Sequence, residues 1–281
     1  MRLFLSRLFS ILYLLISANT VFADSHINRI ISVDANATEI LTSLGYSEQI
    51  IGADITSQPF FREPSPANVG YHRSLNAEGL LALQPQLIIG SNHMGPNAVV
   101  AMINKANIPL IQLDSPHSPE ELISNITTLG KALNAPKKAS ELIQRVNKTS
   151  NQIKALKQGT SPRIAFLLDV GDRGLSLAGK DTAANTLITI IGGKNVSEFN
   201  SYKSISMESL LSMNADIILI GQRNTTLITP EQILSNHPLL AHAEASKNNQ
   251  LISIHSGSLI AGLSLAALDE AERISRRIYA Q

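Results

Sequence analysis

Short apolar runs alternate along the chain with segments of helical periodicity. The apolar runs are rich in Ile, Leu and Val, which is typical of strands buried on both faces of a parallel sheet. Two of the segments between them open with helix-start motifs, Ser118-Pro119-Glu120-Glu121 and Thr229-Pro230-Glu231-Gln232. The alternation predicts an α/β fold, with strands at 29–34, 49–54, 86–90, 109–114, 163–169, 216–221 and 250–254 and further helices at 37–44, 75–83, 96–106, 182–191, 207–213 and the C terminus.

One further predicted helix, at residues 136–158, differs from the others in its length. Neither Gly nor Pro interrupts it after its first residue, and apolar residues recur at positions 139, 142, 143, 146, 153 and 156. This spacing is close to the helical repeat. Such a helix could connect two α/β halves, or it could lie on the surface of a single domain.

The two halves of the chain share a short pattern that favours the connecting role. Tyr71 lies in a predicted loop, with Glu78 at the next helix start and an apolar strand beyond it; Tyr202 and Glu208 repeat this arrangement. A helix–strand unit can recur by chance, but the shared Tyr and Glu positions favour a duplicated plan. We therefore predict two α/β lobes with a ligand cleft between them at the carboxyl ends of their strands: an N-terminal lobe at 24–135, a connecting helix at 136–158 and a C-terminal lobe at 159–281.

The first 23 residues have the pattern of a secretory signal peptide. Arg2 and Arg7 form a positively charged region before an apolar stretch at 8–16, and Val21 and Ala23 occupy the −3 and −1 cleavage positions. A transmembrane anchor is the alternative, but the apolar run is short and a cleavage site follows it. We expect the protein to be exported.

Composition excludes several classes of function. The chain of 281 residues has 23 Lys and Arg, 22 Asp and Glu, 4% aromatic residues and no Cys. A nearly neutral chain with few aromatic residues is a poor nucleic-acid binder. The absence of Cys excludes disulfides, Cys–zinc sites and iron–sulfur clusters, together with the acylated N-terminal Cys of lipoproteins.

The sequence also lacks the motifs of common enzyme classes. It has no G-x-S-x-G elbow, P-loop or G-x-G-x-x-G. His237 and His242 are five residues apart, not the four that place two zinc ligands on one helix face. We therefore expect a protein without catalytic activity.

Two segments reveal a resemblance to a known family. The first is RIISV…TEIL…LG…IIG at 29–52, and the second is VGYHRSLNAEG at 69–79. In these segments, and over essentially the whole chain after residue 23, the protein resembles the periplasmic substrate-binding proteins of ABC importers for cobalamin, siderophores and haem. The second segment is most similar to the haem-binding branch. The resemblance implies two lobes joined by one long helix, a periplasmic location and haem as the cargo.

In the haem-binding branch, the tyrosine of the second segment is an axial ligand of ferric haem, and here that residue is Tyr71. Phenolate is a hard anionic donor that suits Fe(III), and tyrosine is a known haem ligand. Arg73 can favour the phenolate or pair with a haem propionate. On spacing alone, the more common case is a Tyr71 that packs in its loop and an Arg73 that is a solvated surface residue, and only the resemblance favours the ligand role.

Other candidate site residues follow from the same resemblance. Some relatives add a histidine from the loop after the first strand of the second lobe, and here that loop, 169–174, has none. Tyr71 is therefore expected to be the only strong protein ligand. His72 is a weak second candidate, because neighbouring side chains in an extended loop point apart. Further candidates for lining the cleft or holding a propionate are His93, Tyr202, Arg223 and His255, although the histidines could equally be ordinary surface residues.

The resemblance also implies a docking role for Glu78 and Glu208. In this family an exposed Glu on each lobe contacts arginines of the membrane permease, and two separated carboxylates can orient a docking partner. Each Glu can also complement the dipole of its own helix. We therefore expect a monomeric carrier that delivers haem to an inner-membrane ABC permease for iron and haem uptake. The alternatives are a ferric siderophore or a corrinoid as cargo, or an exported hydrolase, which the missing nucleophile elbow disfavours.

Overall fold

Five parallel strands form the first sheet, in the spatial order β3-β2-β1-β4-β5. The computed structural model describes residues 27–157, 159, 161–169, 174–222, 229–259 and 262–279, so the predicted signal peptide at 1–23 and Arg223 lie outside the described residues. β1 and β4 are buried along their whole length, as their apolar sequences require. The strands are β1 (Ile30–Val33), β2 (Ile50–Ala53), β3 (Ala67–Asn68), β4 (Leu87–Ser91) and β5 (Leu110–Leu113).

The second sheet is mixed, in the order β11-β10-β6-β7-β9, and β8 also pairs with β6. Its central strand β6 runs parallel to β10 and antiparallel to β7. The strands are β6 (Arg163–Asp169), β7 (Leu175–Ala178), β8 (Lys194–Asn195), β9 (Tyr202–Ser204), β10 (Ile217–Gln222) and β11 (Leu251–His255).

Four of these strands, β3, β7, β8 and β9, were absent from the sequence-based prediction. β3, β8 and β9 have two or three residues each with largely exposed side chains, and β7 has four. Such short segments carry too little hydrophobic alternation to be recognised. Tyr202 therefore opens an edge strand, whereas the repeat predicted a loop, and Tyr71 and Tyr202 are not structurally equivalent.

The described residues contain ten α-helices, and every predicted helix is present within a few residues of its expected bounds. The predicted starts are confirmed, because Ser118 accepts a hydrogen bond from the Glu121 N–H and Thr229 forms a reciprocal capping box with Gln232. The helices are α1 (Ala35–Ser43), α2 (Ala77–Ala82), α3 (Asn97–Lys105), α4 (Pro119–Ala132), α5 (Pro136–Leu156), α6 (Ala183–Ile190), α7 (Met207–Ser212), α8 (Pro230–Asn236), α9 (Glu244–Lys247) and α10 (Leu265–Tyr279).

The long helix α5 joins the two lobes through a shared apolar core. It packs on α4 and on α10 and buries one face that includes Ala139, Leu142, Val146 and Ile153. These residues belong to one continuous cluster with Ile30 and Ile40 of the first lobe and Ile164 and Phe166 of the second. The predicted fold class, two α/β lobes joined by a single long helix, is confirmed. The chain positions predicted to divide the lobes, 135/136 and 158/159, stay a prediction.

Candidate ligand-binding cleft

The carboxyl ends of the two sheets adjoin each other. Asn36, just beyond β1, donates its side-chain N–H to the Leu263 carbonyl, which lies beyond β11, at 3.0 Å. The Leu263 N–H donates to the carbonyl of Pro116, beyond β5, at 2.7 Å. His117 Nδ1 lies 3.3 Å from Thr186 Oγ1 of α6. The segments beyond β1 and β5 of the first lobe and beyond β11 of the second therefore border one region, at the carboxyl ends of strands, where open α/β sheets bind ligands.

Glu39 holds the lobes together beside this region. It lies on α1 of the first lobe, and its carboxylate accepts hydrogen bonds from the N–H groups of Leu265 at 2.7 Å and Ala266 at 2.9 Å. These N–H groups open α10, whose first turn has no helical acceptors for them. Burial raises the pKa of Glu39, although the two hydrogen bonds oppose the rise. The buried cap fixes α1 against α10.

Tyr71 projects from a tight turn that follows the edge strand β3. Gly70 has a φ of 90°, a conformation that favours glycine. Its N–H donates to Asn68 Oδ1 at 2.9 Å, and its carbonyl accepts from the Ile55 N–H at 2.8 Å. Tyr71 is 45% exposed, and Ile55 is 55% exposed. The turn thus presents a phenol and a neighbouring apolar side chain to solvent.

The segment after Tyr71 returns across the carboxyl edge of the first sheet. The Gly95 N–H donates to the His72 carbonyl at 2.8 Å, and the Leu75 N–H donates to the Gly95 carbonyl at 2.9 Å. These bonds bring the loop after β4, which carries the exposed His93, beside the exposed Arg73. Desolvation lowers the pKa of His93, and the nearby charges of Arg73, His72 and His117 lower it further. Arg73, His72 and His117 therefore lie close enough to His93 to influence its charge, and His117 is a member of this group that sequence reasoning missed.

His72 lies beneath Tyr71 rather than in the cleft. It is 4% exposed, its Nδ1 lies 3.2 Å from Asp54 Oδ2, and its ring centroid is 4.3 Å from that of Tyr71 at 50°. The expectation that the two side chains point apart is wrong, because their rings are in contact. His72 as a cleft-lining ligand candidate is wrong, because its imidazole is committed to a buried carboxylate.

Asp54 and Asp34 form a buried acidic pair at the carboxyl ends of β2 and β1. Asp34 has a φ of 98°, unusual for a residue other than Gly, and its N–H donates to Asp54 Oδ1 at 2.9 Å. Burial raises the pKa of Asp34. Burial alone would also raise the pKa of Asp54, but hydrogen bonds from His72, Ser57 and Thr56 outweigh it and lower that pKa. Sequence reasoning passed over both, although each directly follows an apolar strand.

The second lobe contributes Asp169 and His255 to its own carboxyl edge, where both align with Gln222 of β10. His237 Nε2 lies 3.5 Å from Asp169 Oδ2, and both side chains are partly exposed. This contact between β6 and the residue that follows α8 was also missed, because no local pattern links residues so far apart in the chain. The structure therefore places a partly exposed imidazole beside Asp169, at the carboxyl end of β6.

Tyr202 is set back from this edge. It pairs with Ala178, while Leu177 pairs with Leu167 and Leu175 pairs with Asp169. At about 3.3 Å per residue, Tyr202 lies about 10 Å before the carboxyl end of β6. Desolvation raises the pKa of Tyr202 to about 12. Its phenol is therefore poorly suited to ionise, in contrast to the role expected of Tyr71.

Glu78 and Glu208 occupy matching places in the two lobes. Each lies exposed in the first turn of a short helix, α2 or α7. Asn76 caps α2 by accepting from the Gly79 N–H at 3.1 Å, and Ser206 is the cap of α7. The Glu positions of the repeat thus agree in structure, although the Tyr positions do not.

The part of the chain that the structure describes contains neither a membrane span nor a cluster of metal ligands. None of its helices is both long and apolar enough to cross a membrane. In the same residues, no three His, Asp or Glu side chains converge as a site for a bare metal ion.

Comparisons with known proteins give consistent results for fold and family. A family model described as "Periplasmic binding protein" matches residues 30–257. The structure is similar to the periplasmic heme-binding protein HutB of Vibrio cholerae, with a TM-score of 0.80 and 33% identity over 91% of this chain and 100% of that one. It is also similar to a periplasmic heme-binding protein from Pseudomonas aeruginosa, with a TM-score of 0.76 and 28% identity over 91% and 94% of the two chains. The vitamin B12-binding protein of Pectobacterium atrosepticum is 22% identical over 198 residues, 69% of this chain and 71% of that protein.

Proposed function

The chain belongs to the periplasmic binding protein family, and from this we propose that it binds ferric haem and delivers it to an inner-membrane ABC permease. The observation that carries the proposal is Tyr71, an exposed phenol on a glycine turn at the carboxyl edge of the first sheet, two residues before Arg73, whose charge acts on His93. The two similar heme-binding proteins support the choice of cargo.

The chemistry of Tyr71 suits Fe(III). Phenolate is a hard anionic oxygen donor, and tyrosine ligates ferric haem in other proteins. A free phenol has a pKa of about 10, so iron and a neighbouring cation must together favour the phenolate. Arg73 supplies the fixed positive charge in the proposed site. Arg73 can stabilise the phenolate directly or pair with a haem propionate.

Exposed side chains of the segments that follow the strands of the first lobe suit a flat ring with charged edges. Ile55 and Phe60 are 55% and 39% exposed in the segment that follows β2, and apolar side chains of this kind can cover a porphyrin face. His93, His117 and Arg73 offer donors for the two propionates. Arg223 and His255 remain proposed contacts from the second lobe.

Delivery of the cargo requires recognition by a permease. We assign this role to Glu78 and Glu208, which are exposed and occur once in each lobe. Separated carboxylates can orient the carrier on a basic partner, although each exposed ion pair contributes little affinity. The two carboxylates therefore determine how the carrier docks more than how tightly it binds.

A corrinoid is the second candidate cargo, because curated relatives such as that of Pectobacterium atrosepticum are named vitamin B12-binding proteins. The identity to those relatives is lower than to the heme-binding structures. A corrinoid also needs no phenolate donor from Tyr71 and no fixed cation from Arg73. A ferric siderophore is the third cargo to be tested.

Equilibrium titration of the purified mature protein distinguishes these cargoes. Haemin, cyanocobalamin and a ferric hydroxamate siderophore are each added and followed by absorption or by quenching of tyrosine fluorescence. We expect saturable binding of haemin and no saturable binding of the other two. Saturation by cyanocobalamin without haemin binding would replace haem by a corrinoid as the cargo.

A further inference from the structure

The exposed side chain of Tyr71 has a buried support. Its ring packs against the imidazole of His72, with 4.3 Å between the ring centroids, while Tyr71 itself is 45% exposed. An exposed tyrosine at the end of a turn can rotate about both side-chain torsions. A fixed ring beneath it restricts that rotation.

His72 is itself held in place by the buried carboxylate of Asp54. His72 is 4% exposed and Asp54 is fully buried, with 3.2 Å between Nδ1 and Oδ2. An ionised carboxylate only accepts hydrogen bonds, so His72 Nδ1 carries the hydrogen and donates it. This bond sets the orientation of the imidazole plane.

Asp54 has little freedom to move. Its Oδ1 accepts from the Asp34 N–H at 2.9 Å and from the Ser57 hydroxyl, and its Oδ2 accepts from Thr56 Oγ1 at 2.8 Å. Ser57 also accepts from Thr38 of α1 at 2.7 Å. The carboxylate is therefore anchored to β1, α1 and the segment after β2 at once.

We propose that His72, fixed by Asp54, is a positioning residue that holds the Tyr71 ring in one orientation for bonding to iron. The proposal rests on the proposed haem-binding function and adds a residue that does not itself touch the metal. Buried partners that orient a metal ligand commonly change metal affinity by 10- to 100-fold when they are removed. A preorganised ligand also binds more tightly because its ordering precedes binding.

The ring contact and the hydrogen bond can be separated by two substitutions. His72→Asn keeps an N–H donor near the position of Nδ1 but removes the ring. His72→Phe keeps a ring against Tyr71 but removes the hydrogen bond to Asp54. If His72 is a positioning residue, loss of the ring causes the spectroscopic defect, and loss of the hydrogen bond lowers the stability of the apoprotein. His242→Asn, at an exposed histidine of the second lobe, is the matched control.

The experiment compares haem-loaded wild type, His72→Asn, His72→Phe and His242→Asn. Haem release to an excess of a scavenger protein is timed, the high-spin ferric absorption and EPR signals are recorded, and the thermal midpoint of each apoprotein is measured. We expect His72→Asn to release haem about tenfold faster, with a broadened EPR signal and an apoprotein midpoint close to that of wild type. His72→Phe, which keeps the ring contact but loses its anchor to Asp54, should give a narrower signal than His72→Asn despite a lower midpoint.

The outcomes distinguish failure of this inference from failure of the proposed function. If wild type binds haem as a tyrosinate complex and His72→Asn matches it in release rate and EPR line shape, the positioning role is overturned and the proposed function stands. A greater defect in His72→Phe than in His72→Asn would also overturn it, because the hydrogen bond to Asp54 rather than the ring contact would then matter. Absence of saturable haem binding by wild type would overturn both.

Discussion

Glu39 offers a quantitative test of how the two lobes are joined. Its carboxylate accepts two hydrogen bonds, at 2.7 and 2.9 Å, from the first N–H groups of α10. In Glu39→Gln one oxygen remains, so one N–H loses its acceptor and faces the amide NH2 instead. In Glu39→Ala both N–H groups lose their acceptor.

The expected loss follows from these contacts. A hydrogen bond to a charged group contributes about 1.5–3 kcal/mol, and a buried donor without an acceptor costs about 1–3 kcal/mol. Burial of the carboxylate, which raises the pKa of Glu39, offsets part of this gain. We expect the free energy of unfolding to fall by about 2 kcal/mol in Glu39→Gln and by about 3–4 kcal/mol in Glu39→Ala.

Urea unfolding at pH 7.5, followed by far-UV circular dichroism, measures both changes. Glu141→Gln is the control, because Glu141 pairs with Lys138 on the exposed face of α5 and should change the free energy by less than about 0.5 kcal/mol. A loss below about 0.5 kcal/mol in Glu39→Gln, or equal losses in Glu39→Gln and Glu141→Gln, would refute the inference that this cap stabilises the junction.

Three further outcomes follow from the structure. Replacement of both Glu78 and Glu208 by Ala should impair haem uptake in cells while the haem dissociation constant of the purified protein stays unchanged; a weakened affinity would contradict the separation of docking from binding. Gly70→Ala places a side chain at a φ of 90° and should lower the free energy of unfolding by about 1 kcal/mol or more, with faster haem release; unchanged values in urea unfolding and release assays would be inconsistent with the turn described. Asp54 has a lowered pKa, so its contribution to stability is complete above its unfolded pKa of about 3.9 and is lost as pH falls through its folded pKa. The stability difference between wild type and Asp54→Asn, measured by urea unfolding from pH 6 to pH 2.5, should therefore shrink with acidification; a constant difference would count against an ionised Asp54.

The sequence was most informative where local patterns are long. β6 has the predicted bounds, 163–169, because a continuous apolar run at 164–168 between Pro162 and a glycine-containing loop leaves little ambiguity. The helix α5 shows a six-turn periodicity, and its connecting role followed from the repeat around Glu78 and Glu208. The short strands β3, β8 and β9 were not predicted, because two or three largely exposed residues are too few to show a hydrophobic periodicity.

The candidate site was only partly accessible to sequence reasoning. Tyr71 and Arg73 were identified through a resemblance, because spacing alone does not separate a ligand from a loop residue. The partners that shape the site are distant in the chain: Asp54 is 18 residues from His72, and Glu39 is 226 residues from Leu265. Neither pairing produces a local pattern, so only the packing of the folded chain shows them.

The most direct test of haem ligation by Tyr71 is the absorption spectrum of the ferric complex in wild type and Tyr71→Phe. Tyr202→Phe is the matched control, since Tyr202 lies back from the carboxyl edge and burial raises its pKa to about 12. We expect wild type and Tyr202→Phe to share a high-spin spectrum with a tyrosinate-to-iron charge-transfer band, and Tyr71→Phe to lose that band and most of its affinity. An unchanged spectrum and affinity in Tyr71→Phe would contradict the assignment of Tyr71 as the iron ligand.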